Sequence, residues 1–218
     1  MSESKTVVLY GADYSVYARI ARLALLEKGV AHRVETIDVF AGAPASYLEL
    51  QPFGKIPTLD HGGFRLYETG AIARYIDEAF PGPALQPKDV QARARMSQIM
   101  SIVDSYAYRP MVWDIVVERA LVPQGGGTPD EAKIAAALPK AETCLAALSA
   151  LAGAPYLLGE QLTLADLHLL PVIAYLRLVP EGQKLLAKAP KITAWWEKMA
   201  GRASVKDTRY PAEMAAGT

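Results

Sequence analysis

Residues 81–89, PGPALQPKD, place three prolines and a glycine between two stretches of different texture. Proline has no N–H and a fixed φ, so neither a helix nor a sheet ladder passes through such a run undisturbed. The segment therefore reads as a linker, and the chain must fold as two parts. With 218 residues, either part can bury a core of its own.

The first part mixes short strands with helices. TVVLYG (6–11) is β-branched and ended by glycine, the pattern of a buried strand. In SVYARIARLALLEKG the apolar residues Val16, Ile20, Leu23, Ala24 and Leu26 recur at helical spacing, and Gly29 stands where a C-terminal cap belongs. HRVETIDV (32–39) supplies a second strand, which a right-handed crossover sets parallel to the first. APASYLELQP (43–52) is helical or irregular. IPTLD and FRLYE, separated by His61, Gly62 and Gly63, read as a hairpin. TGAIARYIDEAFPG gives a helix with Ala71, Ile72, Tyr75, Ile76 and Ala79 on its inner face. The order βαβ, α, ββα over residues 1–80 is the thioredoxin-like arrangement.

From residue 89 onward the pattern is helical, over roughly 89–120, 129–152, 163–178, 181–188 and 190–201, with PAEMAAGT as a weakly held tail. The expected architecture is α/β plus all-α: residues 1–80, a linker at 81–88, and a helical bundle over 89–218. Lys and Arg together number 23, as do Asp and Glu, so net charge gives no support to a nucleic-acid or anionic-membrane partner. The single cysteine, Cys144, forms no internal disulfide and no thiolate metal cage, and packs as a small apolar residue. The opening MSESK lacks a signal-peptide pattern, and no apolar run reads as long enough to span a membrane, so a cytoplasmic setting is expected.

Three places can carry chemistry. Pro57 begins an apolar run, where a cis Ile56–Pro57 bond would turn the Ile56 backbone outward to pair with an extended peptide; a proline that merely starts a strand fits the same letters. Glu68 and Thr69 precede a helix, either as an ordinary cap or as a grip for a ligand ammonium and carboxylate. Ser15 opens the first helix, as a cap or as a hydroxyl beside the anion-favouring helix end. Tyr10, Tyr14 and Tyr17 stand nearby as phenol donors or as packing residues.

Ser15, PFGKIPTL (52–59), ETGAI (68–72), TLADL (163–167) and WWEKMAGRASV (195–205) together resemble the cytosolic glutathione transferase superfamily, and in particular its serine-type bacterial members. The resemblance implies that Ser15 hydrogen-bonds the glutathione sulfur, with Tyr10 as the alternative donor. It implies that the Ile56 backbone pairs with the cysteinyl unit beside a cis Pro57. Glu68 and Thr69 would hold the γ-glutamyl end, and Lys55 the glycyl carboxylate. The electrophile pocket would take Tyr14 from the first part and Asp104, Tyr108, Met111 and Trp113 from the first long helix of the second. Glutathione is then a co-substrate, the partner a small hydrophobic electrophile, and the assembly a homodimer. Gln51, Thr69 and Ala203 depart from the asparagine, serine and proline usual at those places. Also consistent with the letters are a non-catalytic binding or scaffold protein of the same fold and a glutathione-dependent etherase, dehalogenase or isomerase.

Thr163 and Asp166 read as a capping box with Leu162 and Leu167 as a hydrophobic staple, which is folding chemistry. Loss of Asp166 is expected to cost about 0.5–2 kcal/mol. His32, His61 and His168 have no ligand spacing, so no metal is expected.

Overall fold

The computed structural model describes residues 6–215, and they divide into two compact units. The first takes the chain as far as Ala84 together with Asp207–Pro211; the second takes Leu85–Lys206 and the residues from Ala212.

In the first unit four strands, β1 (Val7–Gly11), β2 (Arg33–Thr36), β3 (Thr58–His61) and β4 (Phe64–Tyr67), form one sheet in the order β2-β1-β3-β4. β2 is parallel to β1, as the crossover through α1 (Val16–Glu27) requires, while β3 and β4 run antiparallel. Only Gly62 and Gly63, both at positive φ, link β3 to β4; His61 belongs to the strand. α2 (Ala45–Leu48) is a single turn, and α3 (Thr69–Ala79) closes the unit against α1. The buried face of α3 is Thr69, Ile72, Ala73 and Ile76, whereas Ala71 and Ala79 face outward. An inner face at i, i+3, i+4 and i+7 is the ordinary helical stripe, and the expected set was displaced toward the wrong side of it.

The proline segment is anchored at both ends. Lys28 Nζ, nearly buried, pairs with Asp77 Oδ1 at 3.1 Å and with Pro83 O at 3.0 Å. Gly82, at φ +120°, lies against the Lys28 backbone where a Cβ would come within 3.0 Å of its oxygen. In the second unit, Leu85 is buried and its oxygen accepts from Leu164 N–H at 2.9 Å.

The second unit begins with α4 (Val90–Ile102), which continues into a π-wound segment, Val103–Leu121, containing Pro110. Its looser winding persists to the end, where Val122 N–H bonds to Val117 O; apolar spacing in the sequence gave no sign of it. Then follow α5 (Val122–Gln124), α6 (Glu131–Leu151), α7 (Leu164–Leu176), α8 (Pro180–Ala187), α9 (Pro190–Ala200), α10 (Ala203–Asp207) and α11 (Pro211–Ala215). By length and composition α6 could cross a membrane, contrary to the expectation from sequence. It instead sets Ile134, Ala137, Ala141, Cys144, Leu145 and Leu148 at helical spacing in a protein core, and packs on the π-wound segment. α7 is buried throughout.

The described part of the C-terminal stretch is better held than expected. Tyr210 is fully buried, with the Arg19 guanidinium 4.4 Å from its ring centre, and Arg19 Nε donates to Thr208 Oγ1 at 3.3 Å. Residues 211–215 form α11, with Glu213 buried; the remaining three residues of the tail lie outside the described chain.

Candidate active site

Register brings the three chemistry-bearing places to one end of the sheet. Tyr10, next to the last residue of β1, faces Thr58, the first residue of β3. Thr58 in turn faces Tyr67, the last residue of β4. The turn after β1 that carries Ser15, the segment before β3 that carries Lys55–Pro57, and the Glu68–Thr69 pair after β4 therefore all leave the sheet at the same end. With β3 between β1 and β4, the row spans two strand spacings, about 10 Å.

Ser15 is the N-cap of α1, half-buried, and its Oγ accepts from Ala18 N–H at 3.2 Å. Among the described residues nothing accepts the hydroxyl hydrogen, so it is left to donate beside the positive end of a three-turn helix. The bond Ile56–Pro57 is cis, and a second cis bond, Ala154–Pro155, had no sequence expectation attached to it. The Ile56 N–H and C=O enter no hydrogen bond with any described residue. Lys55 is exposed, and its ammonium has no partner among the described residues.

Glu68 has φ +71°, the one positive φ outside glycine among the described residues. A non-glycine residue held in a sparsely populated region costs on the order of 1–3 kcal/mol, and such strain gathers at ligand sites. Its oxygen accepts from Ala71 and Ile72, which starts α3, while its carboxylate is exposed and unpartnered. Thr69, at the first position of α3, is 8% exposed, and its hydroxyl makes no hydrogen bond with a described residue. The end of the sheet thus offers a hydroxyl, a main-chain donor and acceptor, a cation, an anion and a helix N-terminus.

The remaining candidates are placed differently. Tyr10 is half-buried, its ring centre 6.0 Å from that of Tyr47. Tyr14 donates to Asp38 Oδ1 at 3.0 Å, accepts from Val39 N–H at 3.2 Å and packs on Phe40, so its hydroxyl ties two loops together. Burial, then the Asp38 bond, raises the Tyr14 phenol above its ordinary pKa. In the second unit Asp104, Tyr108, Met111 and Trp113 share the π-wound segment. Asp104 is exposed and bonds the buried His168 Nε2 at 3.0 Å; Tyr108 and Trp113 are half-buried; Met111 is wholly inside the core. Burial pushes the Cys144 thiol up to about 11. Among the described residues no three ligand-type side chains gather as a metal site.

Sequence reasoning missed Tyr47 and Thr58 and noted Gln51 only as a departure from the usual asparagine. All three are almost fully buried polar residues bonded around the Lys55 backbone. The one signal available was the spacing of four residues between Gln51 and Lys55.

A family model described as "Glutathione S-transferase, N-terminal domain" matches residues 9–84, and "Glutathione S-transferase, C-terminal domain" matches residues 99–203. The chain is 35% identical over 193 residues to Glutathione S-transferase F10 of Arabidopsis thaliana, covering 86% of this chain and 89% of that protein. It is similar to the crystal structure of glutathione transferase F7 from Populus trichocarpa, with TM-score 0.82 and 30% identity, covering 93% of this chain and 97% of that one. It also resembles the maize glutathione S-transferase I structure in complex with an atrazine–glutathione conjugate, with TM-score 0.81 and 25% identity, covering 93% and 96% of the two chains.

Proposed function

This chain belongs to the glutathione S-transferase family, and from that premise we propose how its residues perform the transfer. The reaction is attack of the glutathione sulfur on an electrophilic carbon: a C–S bond forms, the thiol proton goes to water and the leaving group departs.

Glutathione lies extended across the end of the sheet, spanning the row from β1 to β4. Its cysteinyl unit pairs with the Ile56 N–H and C=O beside Pro57, as an added strand pairs with a sheet edge. Its γ-glutamyl carboxylate takes the Thr69 hydroxyl and the first N–H groups of α3, its ammonium meets Glu68, and Lys55 reaches the glycyl carboxylate. The sulfur sits at Ser15. There the Ala18 N–H holds one Oγ lone pair, so the hydroxyl donates its hydrogen to the thiolate, and the α1 terminus adds favourable potential. Each pKa unit by which the thiol is lowered represents about 1.4 kcal/mol of preference for the charged form.

The observation that carries this reading is the convergence of unused donors and acceptors at one end of the sheet: Ser15 Oγ–H, the Ile56 backbone, the Glu68 carboxylate and the Thr69 hydroxyl. Seven of the expected site residues lie there or next to it, including Tyr10 and Pro57. The acceptor we propose is a small hydrophobic electrophile such as an aryl halide. We assign the thioredoxin-like domain to residues 1–80, the linker to 81–88 and the helical domain to 89–218, with Asp207–Pro211 grouped with the first unit. We further assign the serine-type mechanism, a cytoplasmic setting, a homodimer and no metal requirement. The bacterial origin implied by sequence resemblance finds no support in relatives from Arabidopsis, maize and poplar.

Calorimetry with glutathione, run beside a turnover screen of aryl halides, epoxides, peroxides and aryl ethers, tests the reading. Binding with turnover of at least one acceptor class is expected. Binding without turnover would make the chain a scaffold protein, and no binding would remove the site.

A further inference from the structure

Immediately before Ile56, the main chain is held by a side chain that contacts no part of the proposed substrate. Tyr47, in α2, is 1% exposed, and its hydroxyl lies 2.6 Å from Lys55 O and 2.9 Å from Thr58 Oγ1. A phenol has one hydrogen, and a carbonyl oxygen only accepts. Tyr47 therefore donates to Lys55 O and accepts the Thr58 hydroxyl hydrogen. Burial raises the Tyr47 phenol above its ordinary value, which keeps it a neutral donor at working pH. On the other side of the same residue, Lys55 N–H donates to the buried Gln51 Oε1 at 3.1 Å.

The peptide unit joining Lys55 to Ile56 is trans. In a trans peptide the C=O and N–H lie in one plane and point in opposite directions. Tying the Lys55 oxygen to a buried phenol therefore aims the Ile56 N–H the other way, off the buried cluster. That N–H has no partner among the described residues.

We propose that Tyr47 is the positioning residue for main-chain recognition of glutathione: its hydroxyl fixes the Lys55–Ile56 peptide plane so that the Ile56 N–H meets the cysteinyl carbonyl. The inference rests on the glutathione reading given above. Tyr47 acts through Lys55 and is not a catalytic residue.

The test compares wild type, Tyr47→Phe and Thr58→Val by calorimetry, with glutathione and with an analogue whose cysteinyl carbonyl is reduced to a methylene. Tyr47→Phe is expected to bind glutathione about 3- to 10-fold more weakly, the worth of one ordinary hydrogen bond. Its KM for glutathione rises by the same factor while kcat at saturation stays within about twofold, as for lost uniform binding. Thr58→Val leaves the Tyr47–Lys55 bond in place and is expected to bind like wild type, which separates positioning from a general loss of stability. The reduced analogue, having no carbonyl to orient, is expected to bind wild type and Tyr47→Phe equally. Unchanged affinity of Tyr47→Phe for glutathione, an equal loss in Thr58→Val, or the same penalty with the analogue would each overturn the proposal. Failure of wild type itself to bind glutathione would overturn the site reading first.

Should Tyr47→Phe not fold, Tyr47→3,5-difluorotyrosine gives a second measurement with S-methylglutathione, whose sulfur does not titrate. Affinity is expected to fall as the more acidic phenol ionises and can no longer donate, over a pH range where wild type is flat. A flat profile for both would overturn the proposal.

Discussion

Two helices in this chain begin on a hydroxyl, and they use it differently. At the start of α7, Thr163 is 4% exposed, and its N–H and hydroxyl both donate to Asp166 Oδ2, at 2.8 and 2.9 Å. The other oxygen of Asp166 accepts from Leu157 N–H at 2.8 Å and from Trp195 Nε1 at 2.9 Å. Every strong group of that carboxylate is used, and three stretches of the second unit are tied together. At the start of α1, Ser15 is half-buried, makes one side-chain bond and keeps its hydrogen. A closed cap stabilises a fold, whereas an open one at the end of a sheet is available to a ligand.

Substitutions at the two caps should separate stability from chemistry. The largest effect is expected from Asp166→Ala, which leaves the Leu157 and Thr163 N–H groups and the Trp195 indole buried without partners. A loss of about 3–5 kcal/mol in denaturant unfolding is expected, well above the loss anticipated from a simple cap, with an unaltered thiol ionisation in whatever folds. Ser15→Ala reverses the pattern: kcat/KM drops about 100-fold, the scale of one lost donor at a developing anion, while stability falls by about 0.5–2 kcal/mol. If both variants lost the same stability and activity, the contrast between the caps would vanish.

Glu68→Ala is expected to weaken glutathione binding about tenfold, measured by calorimetry, with less effect on kcat. Alanine keeps the Cβ and so the cost of φ +71°, and the lost carboxylate is exposed, so stability is expected to change little. The smallest effect is a pH dependence at the closed cap. Burial holds the Asp166 pKa above its unfolded value, against its four hydrogen-bond donors. The folded chain then takes up this proton before the unfolded chain as pH falls. The stability of wild type relative to Asp166→Asn should accordingly rise as pH drops from the folded pKa toward the unfolded one. A slope of the opposite sign would mean that the donors outweigh burial.

Much of this was legible in short stretches of sequence. The β-branched run at 6–11, the Gly62–Gly63 turn and the Thr163–Asp166 spacing are local, and local rules were enough to place strand, hairpin and cap. The candidate site could be singled out from sequence because its groups sit at element boundaries, where Ser15, Pro57 and Glu68–Thr69 stand next to a strand or helix end. What escaped depends on distant partners. Nothing within SYLEL says that the Tyr47 hydroxyl will meet Lys55 and Thr58. Nothing near Arg19 says that its guanidinium will lie on Tyr210, which comes from the far end of the chain. The winding of Val103–Leu121 and the inner face of α3 were lost for a related reason, since helical spacing alone does not set backbone pitch or the absolute direction of a stripe.

The central claim is that the open cap at Ser15 stabilises the glutathione thiolate, and an ultraviolet titration of the bound thiol measures this directly. Wild type is expected to ionise bound glutathione at a pH below that of the free tripeptide, and Ser15→Ala to return it most of the way, with Tyr10→Phe titrating like wild type. Superimposable curves for wild type and Ser15→Ala would contradict the account, and a displaced curve in Tyr10→Phe alone would move the donor to the strand.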